Sequence, residues 1–495
     1  MGAASLYKLT TYHLWDRKIK GGSKLKTIHT APSRGSGWKP WLSLLLAVIL
    51  LLPACSTGEK DPEETGPVRL TYAVLGEDAA GEARAMVRNF NSKHQDIKVD
   101  LLEYTDENGR SAKNRLITEM LTGKIPDIID LGKGGYSKDN IPYQILAQKG
   151  YLEDLWPYIE NDPELGREGV LEAPLKAAEV NGGLYAVFSK VKIWTLAGPE
   201  SLIGDRKAWT LADLREVYAA MPEGSTVLPY YITREQIFET LFYRNIESYI
   251  DRDTGTCNFS SGKFKAALEF TNSFPATFNL EAKPSSVSND VGLEAAYRML
   301  HGYQMLHQFV LGTPVDFQML DACFGLGERA AVVGFPMEDG SVGSGFDPTR
   351  TLGMSSVCKN KEAAWQFLRE LLLPKYKDMD ALSRKTVPQL WEGIPVNRSD
   401  YDLLLKASAS GKLTDAYLGI SVFGYPKGTY RKASEEDIAR FDDLVNSITT
   451  ISLYDQTVYD IAHEMAGAYF AGHKTLDEAA QLIQDRVSRY LDEQM

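Results

Sequence analysis

The chain has 495 residues, of which 54 are Lys or Arg and 66 are Asp or Glu, so its formal net charge is −12. At about 150 residues per domain, this length predicts two or three lobes. The composition, with 44% hydrophobic and 24% charged residues, is typical of a globular protein. The acidic balance argues against a nucleic-acid partner, which would require a basic face, and four cysteines are too few for a disulfide scaffold.

The N-terminus carries the features of an export signal. Residues 41–52 (WLSLLLAVILLL) are uncharged, and residues 1–40 hold eight bases and one acid. Such a run has the length of a signal-peptide core and falls short of the ~20 residues of a membrane span. It ends in LPAC (residues 52–55), which resembles a lipobox, in which the cysteine receives acyl chains such as palmitate. We predict a lipoprotein signal peptide over residues 1–54 and lipidation at Cys55; the alternative is an ordinary secretion signal.

Removal of this leader changes the charge of the chain. The mature chain would keep 46 bases and 65 acids, a net charge of −19. Residues 55–66 are polar and contain Pro and Gly, so they predict a flexible tether. The other cysteines, Cys257, Cys323 and Cys358, lack CxxC spacing, and we interpret them as buried and inert. We predict no metal and no cofactor.

Strand and helix patterns alternate at the start of the mature chain. Strands are predicted at 68–75, 97–104 and 123–131, with helices at 79–94 and 111–122 between them. This alternation predicts an α/β fold with a parallel sheet, whose ligands bind at the carboxyl ends of the strands.

The rest of the chain is mainly helical in pattern. The apolar stretch 184–196 predicts a long strand that runs from one lobe into another, and 330–335 predicts a further strand. Helices are predicted at 210–221 with Thr210 as N-cap, 235–246, 263–273, 291–311, 360–373 with Asn360 as N-cap, 435–447, 456–471 and 475–494.

Motifs of common enzymes are incomplete in this sequence. Residues 325–330 (GLGERA) lack the third glycine of a dinucleotide fingerprint, and 463–467 (HEMAG) lack the second histidine of a zinc protease. Residues 251–262 begin like a calcium loop but end in glycine where glutamate is needed.

Aromatic residues are plentiful, with five Trp and 23 Tyr in the mature chain, and such rings can stack on sugars in a binding cleft. We therefore expect a binding protein and not an enzyme.

Several stretches together resemble one family in their order and spacing. They are FNSKHQDIKVDLLEY (90–104), LITEMLTGKIPDIIDL (116–131), GYLEDLWPYIEND (150–162), NGGLYAV (181–187), NKEAAWQFLRELL (360–372), PVNR (395–398) and AGAYFAGHKTLDEAAQLIQDRV (466–487). The chain is similar to the family 1 extracellular solute-binding proteins of ABC importers, the maltodextrin-binding type.

The resemblance implies a two-lobe periplasmic-binding-protein (type II) fold, whose crossing hinge segments let it close like a Venus flytrap. It places the N-terminal lobe at 67–190 plus 353–448 and the C-terminal lobe at 191–352 plus 449–495, with crossings at 184–196 and 353–357.

The resemblance also implies ligand contacts on loops that face the cleft. These residues are Glu77, Asp130, Lys133, Tyr136, Lys192, Trp194, Tyr230, Tyr231 and Tyr459. Glu77 and Asp130 would accept hydrogen bonds from sugar hydroxyls. Trp194, Tyr230 and Tyr459 would stack on sugar rings. Lys133 and Lys192 would donate hydrogen bonds or hold an anionic sugar.

The implied function is capture of a carbohydrate, an oligosaccharide in this interpretation, and its delivery to the transmembrane subunits of an ABC permease. The expected protein is a monomer, lipid-anchored on the extracytoplasmic face of the cell membrane, as on a Gram-positive cell surface. Two alternatives stay open at this point. One is a surface-anchored glycan hydrolase, which needs two carboxylates about 5–9.5 Å apart; the other is a sensor or adhesin on the same fold.

Overall fold

The computed structural model describes residues 66–107, 111–229, 232–242, 244–251, 254–277, 298–299, 301–324, 329–382, 389–390, 392–413 and 431–494. The predicted signal peptide, Cys55 and two of the predicted site residues, Tyr230 and Tyr231, lie outside these ranges. Among the helices in these ranges, none combines the length and the apolar character needed to span a membrane.

The strands are β1 Val68–Leu75, β2 Ile97–Tyr104, β3 Ile128–Gly132, β4 Gly135–Ser137, β5 Glu179–Val180, β6 Gly183–Leu184, β7 Lys190–Pro199, β8 Ile250–Asp251, β9 Thr256–Cys257, β10 His307–Leu311, β11 Ala330–Val332, β12 Gly345–Pro348, β13 Thr351–Met354, β14 Ile394–Pro395 and β15 Leu453–Asp455.

The α-helices are Glu77–Lys93, Ala112–Leu121, Tyr143–Gln148, Trp156–Asn161, Glu172–Lys176, Glu200–Ile203, Leu211–Ala219, Arg234–Phe242, Gly262–Asn272, Asp316–Phe324, Lys361–Leu368, Arg398–Ser410, Glu435–Ser447, Gln456–Phe470 and Leu476–Gln494. Short 3-10 helices cover Ile246–Tyr249, Arg369–Leu371 and Met379–Ala381.

The first lobe is built on a sheet of order β13-β3-β1-β2. β1 is parallel to β2 and β3, and β13 is antiparallel to β3, so the predicted strand–helix alternation is confirmed. Leu70 and Tyr72 face one apolar core, and Ala73 and Leu75 face another on the opposite side. Because both faces are covered, the central strands are almost continuously apolar. The carboxyl ends of β1 and β3 lie at the same edge of this sheet.

The second lobe is built on the sheet centred on β7. The strands β10, β11, β12 and β14 all pair with β7 in antiparallel register. The main core of this lobe contains Trp209, Phe238 and Phe264, and it includes Ile483 and Val487 of the C-terminal helix. The predicted N-cap Thr210 is confirmed and is part of a capping box, since its side chain and that of Asp213 each accept a hydrogen bond from the other's backbone N–H.

Three chain segments connect the two lobes. The first ends in β7, and the second is 345–354, in which β12 pairs with β7 while β13 pairs with β3. The third is 448–455, whose strand β15 runs parallel to β4. The fold is therefore α/β with two lobes and crossing segments, as the sequence predicts, although the second crossing lies before the expected 353–357.

Two predicted elements differ in the structure. The expected strand 184–196 is interrupted, because Leu184 ends β6 and β7 begins only at Lys190; between them Val187 makes an isolated bridge to Leu352 of β13. The predicted helix 291–311 is wrong at its end, where His307–Leu311 forms β10. Pairing with β7 satisfies the backbone of this segment and outweighs its local helical pattern.

Candidate functional site

One face of β7 forms the floor on which the crossing segments meet. Its residues alternate, with Lys190, Lys192 and Trp194 half-buried and the residues between them fully buried. Asp347 of β12 lies directly opposite Lys192 in the antiparallel register. We call the set Lys133, Lys192, Trp194, Arg244 and Asp347 the crossing floor.

A buried ion pair lies at the centre of the crossing floor. Arg244 Nη1 is 2.5 Å from Asp347 Oδ1, and the two side chains are only 7% and 11% exposed. The Arg244 guanidinium also covers the Trp194 ring, with its central carbon 4.5 Å from the ring centroid. Burial raises the pKa of Asp347, and Arg244, Ser452 and Lys192 oppose that rise by favouring the carboxylate. The second crossing is thus fixed to a residue that follows helix Arg234–Phe242 of the second lobe.

A glycine pair of the first lobe packs against the same crossing. A Cβ atom on Gly134 would lie 2.6 Å from the Cα of Asp347, so only glycine permits this approach. The Gly134 N–H donates to the Pro348 carbonyl at 2.7 Å, and the Gly135 N–H donates to that of Ser452 at 2.8 Å. The end of β3 therefore contacts the second and third crossings at once.

Asn140 holds this glycine loop in shape. Its Nδ2 donates to the carbonyls of Gly135 at 2.7 Å and Lys133 at 3.1 Å, and its Oδ1 accepts from the Lys133 N–H at 3.2 Å. Asn140 is buried, so its amide replaces water as the partner of these backbone groups. This network fixes the backbone of Lys133 at the carboxyl end of β3.

Asp130 is 4% exposed, the least among the predicted site residues whose side chains the structure describes. Its Oδ2 lies 3.1 Å from Arg350 Nη1 and accepts a 3.4 Å hydrogen bond from Tyr72, while its Oδ1 accepts from the Gly132 N–H at 2.9 Å. Burial raises its pKa to about 6, against the effect of Arg350, which favours the carboxylate. Arg350 also donates to the Ala79 carbonyl at 2.6 Å. These contacts anchor the second crossing to the first lobe.

Other predicted site residues lie on the first-lobe edge. Glu77 is exposed in the first turn of helix Glu77–Lys93, directly after β1, and Lys133 is exposed directly after β3. Because β1 and β3 are neighbours, the two residues share one edge of the sheet. Tyr136 belongs to β4 and is in register with Tyr454 of the third crossing.

Tyr459 lies one turn into helix Gln456–Phe470, which begins where the third crossing ends. It is 8% exposed and belongs to the second-lobe core. Its ring stacks on His463, with centroids 5.5 Å apart, and its hydroxyl hydrogen-bonds the Glu239 carboxylate. Lys192 and Trp194 therefore pair with the second crossing through β12, and Lys133 precedes Gly134, which contacts Asp347. Asp130 binds Arg350 of the same crossing from the first lobe, whereas Tyr459 packs in the second-lobe core.

Two surface cavities lie apart from this floor. One, of about 420 Å³, is lined by residues that include Tyr158 and Trp365; the other, of about 580 Å³, is lined by residues that include Arg167 and Arg398. None of the predicted site residues lines either cavity. Within the described ranges, no group of three or more His, Cys, Asp or Glu side chains is arranged to hold a metal ion.

Reasoning from the sequence missed the three charged residues that organise the crossing. Arg244, Asp347 and Arg350 are far from their partners in the chain; the hydrogen bond of Arg244 to Asp347, for example, spans 103 positions. The usable signal is local: Asp347 and Arg350 are charged residues in an otherwise uncharged segment, GSGFDPTRTLGM (343–354). Charges are rarely buried without a partner, so this pattern points to ion pairs.

No family model and no curated protein matches the chain. Among solved structures, the chain is similar to an extracellular solute-binding protein family 1 member from Alicyclobacillus acidocaldarius, with 17% identity over 87% of this chain and 100% of that one, at a TM-score of 0.45. It is also similar to the sugar-binding protein MalE from Xanthomonas citri (16% identity, 86% and 98%, TM-score 0.46) and to a periplasmic oligogalacturonide-binding protein from Yersinia enterocolitica (15%, 86% and 100%, TM-score 0.47).

Proposed function

We propose that this protein is an extracytoplasmic solute-binding protein that captures a carbohydrate between its two lobes. One observation carries the proposal: two sheets, one in each lobe, are joined by three crossing segments, and the second and third of these both contact the loop after β3. A ligand bound on the crossing floor would contact side chains of both lobes. Enzymes and transport receptors alike use such hinged lobes to enclose small molecules.

Two ion pairs attach the second crossing to both lobes. Asp347 ties the second crossing to Arg244, and Arg350 ties it to Asp130 three residues later. The two intervening residues are held as well, since the Pro348 carbonyl accepts from the Gly134 N–H and the Thr349 N–H donates to the Lys190 carbonyl. A ligand that contacts both lobes stabilises the closed state by the difference between its affinities for the closed and open states.

The side chains of the floor suit a polyhydroxylated ligand. Lys133 and Lys192 can donate hydrogen bonds to hydroxyl oxygens, and Glu77 on the adjacent strand end can accept from hydroxyl hydrogens. Trp194 contributes apolar surface beside them, although Arg244 covers one face of its ring. A few placed polar groups beside apolar surface are the usual composition of a sugar site.

The remaining features of the proposal come from the sequence. Cys55 would carry the lipid anchor, and the tether 55–66 would hold a monomeric receptor near the transmembrane subunits of an ABC permease. The lobes would divide at 67–190 plus 353–448 and 191–352 plus 449–495. Incorporation of labelled palmitate into the wild type and its loss in Cys55→Ser would support the anchor; equal labelling of both would contradict it.

Ligand capture is tested by calorimetry and thermal shift over a panel of neutral and acidic oligosaccharides, with small-angle scattering in parallel. We expect at least one saccharide to raise the Tm, because a ligand specific for the native state stabilises it by mass action, and to reduce the radius of gyration. Binding that leaves the radius unchanged would contradict closure. Hydrolysis of a glycan in the same samples would contradict the binding function and favour the hydrolase.

A further inference from the structure

The larger of the two described cavities lies in the first lobe, where the third crossing begins. Its volume of about 580 Å³ is within the usual range of small-molecule sites. Residues of three separate segments line it: 167–177, the first residue of helix Arg398–Ser410, and 446–449. The last of these segments includes the end of helix Glu435–Ser447 and the start of the third crossing, so an occupant would contact both.

Packed elements form the walls of this cavity. The Arg398 N–H donates to the Gly169 carbonyl at 2.9 Å, which fixes the helix start against segment 167–177. Val170 and Ile448 give the lining apolar surface, and both are buried members of a hydrophobic core. The cavity therefore combines a fixed apolar wall with the charged side chains described next.

Three basic side chains line the cavity, namely Arg167, Lys176 and Arg398. Lys176 Nζ lies 2.5 Å from Glu172 Oε2, and this hydrogen bond lowers the pKa of Glu172 against its partial burial. The charges of Arg167 and Arg398 lower that pKa further. The charged ends of all three basic residues are therefore near one carboxylate of the lining.

Arg398 has no ion-pair or side-chain hydrogen-bond partner among the residues that the structure describes. It is half-buried, and its guanidinium carbon lies 5.9 Å from the centroid of the Tyr401 ring. The Tyr401 hydroxyl donates to Asp442 at 2.8 Å, so the carboxylate beside that ring is already bound. The helix dipole does not favour a cation in the first turn, so an anion beside Arg398 would improve the local electrostatics.

The other charges around the cavity have nearer neighbours. Arg167 Nε lies 2.6 Å from Glu160 Oε1, and its guanidinium carbon is 4.3 Å from the Trp156 ring centroid. The Glu168 carboxylate lies beside Gly166, where a Cβ atom would be 3.1 Å from it. The lining thus holds three cations and two carboxylates, in a chain whose net charge is −12. Arg398 is the cation of this lining that is left for a ligand.

We propose that this cavity binds a small organic anion, whose phosphate or carboxylate group accepts hydrogen bonds from Arg398 while its body lies against Val170 and Ile448. The planar guanidinium suits both anionic groups, because it can donate two parallel hydrogen bonds to either. The site is separate from the crossing floor, so its occupation does not depend on whether the protein captures a saccharide.

The test compares three probes that carry the same ring: phenyl phosphate, benzoate and the neutral benzyl alcohol. Calorimetry of the purified protein at low salt measures their affinities. We expect at least one anion to bind about tenfold more tightly than the alcohol, since charge-assisted hydrogen bonds are stronger than neutral ones. Added salt should weaken this binding. The two anions distinguish a preference for phosphate from one for carboxylate.

Substitutions locate the anion. Arg398→Met keeps an apolar stem and removes the N–H donors, so it should weaken binding of the preferred anion by about tenfold or more. Arg88→Met is the matched control, because Arg88 is exposed in helix Glu77–Lys93 and lines neither described cavity. Ala173→Leu adds volume to the lining and keeps every charge, so it should also weaken the binding.

Anion binding that is lost in Arg398→Met and Ala173→Leu and kept in Arg88→Met would support the proposal. Failure of both anions to bind, equal binding of benzyl alcohol, or an unchanged anion affinity in folded Arg398→Met would overturn it. If Arg398→Met does not fold, Ala173→Leu decides, because wild-type anion affinity in that variant would place the anion outside this cavity.

Discussion

Arg244 and Asp347 join the second lobe to the second crossing through a contact of 2.5 Å between Nη1 and Oδ1. Both side chains are almost fully buried, so neither charge has water as an alternative partner. A matched pair of this kind adds less to stability than its geometry suggests, but loss of one member leaves the other buried and unpaired. The pair therefore makes the position of the crossing sensitive to single substitutions.

The first prediction concerns this pair. Arg244→Met should lower the free energy of unfolding by about 3–5 kcal/mol, because Asp347 would remain buried without its main partner. It should also uncover one face of Trp194 and weaken ligand-induced closure. Thermal denaturation and small-angle scattering with ligand measure the two effects.

Arg369→Met is the control for that substitution. Arg369 Nε lies 2.6 Å from Asp162 Oδ2, and these side chains are also buried, at 12% and 2% exposure, but both residues lie in the first lobe. We expect a similar loss of stability with ligand-induced closure unchanged in the folded fraction. If Arg369→Met impaired closure as strongly as Arg244→Met, the crossing would have no special part in the motion.

The second prediction is a pH dependence that belongs to Asp130. Burial raises the pKa of this carboxyl to about 6, above its value in the unfolded chain, so the native state binds the proton more tightly. Its contribution to stability is then fully present below about pH 4 and is lost as the pH rises through about 6. Asparagine cannot ionise, so the Asp130→Asn variant does not lose this stability as the pH rises.

The stability of Asp130→Asn relative to the wild type should therefore increase from pH 4 to pH 7 by roughly 1–3 kcal/mol. Urea denaturation of both proteins at several pH values measures this difference, and other titrating groups cancel in the subtraction. A difference that stays flat or falls across this range would show that Arg350 outweighs burial and keeps the carboxyl ionised in the native state.

Local sequence patterns predicted three of the four strands of the first sheet, although β3 begins at Ile128 and not at residue 123, and β13 was not predicted as a strand. β1 and β2 match their predicted bounds, and helix Glu435–Ser447 does so as well, because periodicity and capping residues define them within the segment itself. β10 was missed, since its pairing with β7 joins residues more than a hundred positions apart. Non-local pairing leaves no periodic signal in the paired segment alone.

The candidate site likewise combines residues that local sequence patterns place correctly and residues that they do not. The strand ends at Glu77 and Lys133 follow from the order of strands and helices, so their placement at one edge was predictable. The ion pair of Arg244 with Asp347 was not, because it depends on how three distant segments meet. The ligand roles predicted for Lys192, Trp194 and the other contact residues remain predictions until a bound saccharide is observed.

The last prediction concerns the close approach at Gly134. A Cβ there would lie 2.6 Å from the Cα and the Cβ of Asp347, and the obstruction includes backbone, which cannot rotate away as a flexible side chain can. Gly134→Ala should therefore separate the first-lobe loop from the second crossing and weaken the Gly134 to Pro348 hydrogen bond. We expect a lower Tm and, because Lys133 moves with the loop, a weaker affinity for the saccharide.

Gly81→Ala provides the comparison, since Gly81 lies inside helix Glu77–Lys93 and a Cβ there would meet nothing within 4 Å. Alanine is the better helix former, so this substitution should stabilise the protein by roughly 0.5–1 kcal/mol and leave the affinity unchanged. If Gly134→Ala lowers the Tm and Gly81→Ala raises it, the loss of stability at Gly134 is due to its contact with Asp347. If Gly134→Ala kept the wild-type Tm and affinity, the contact between the Gly134 loop and the second crossing would matter for neither stability nor binding. The two lobes would then have to be coupled through a different contact.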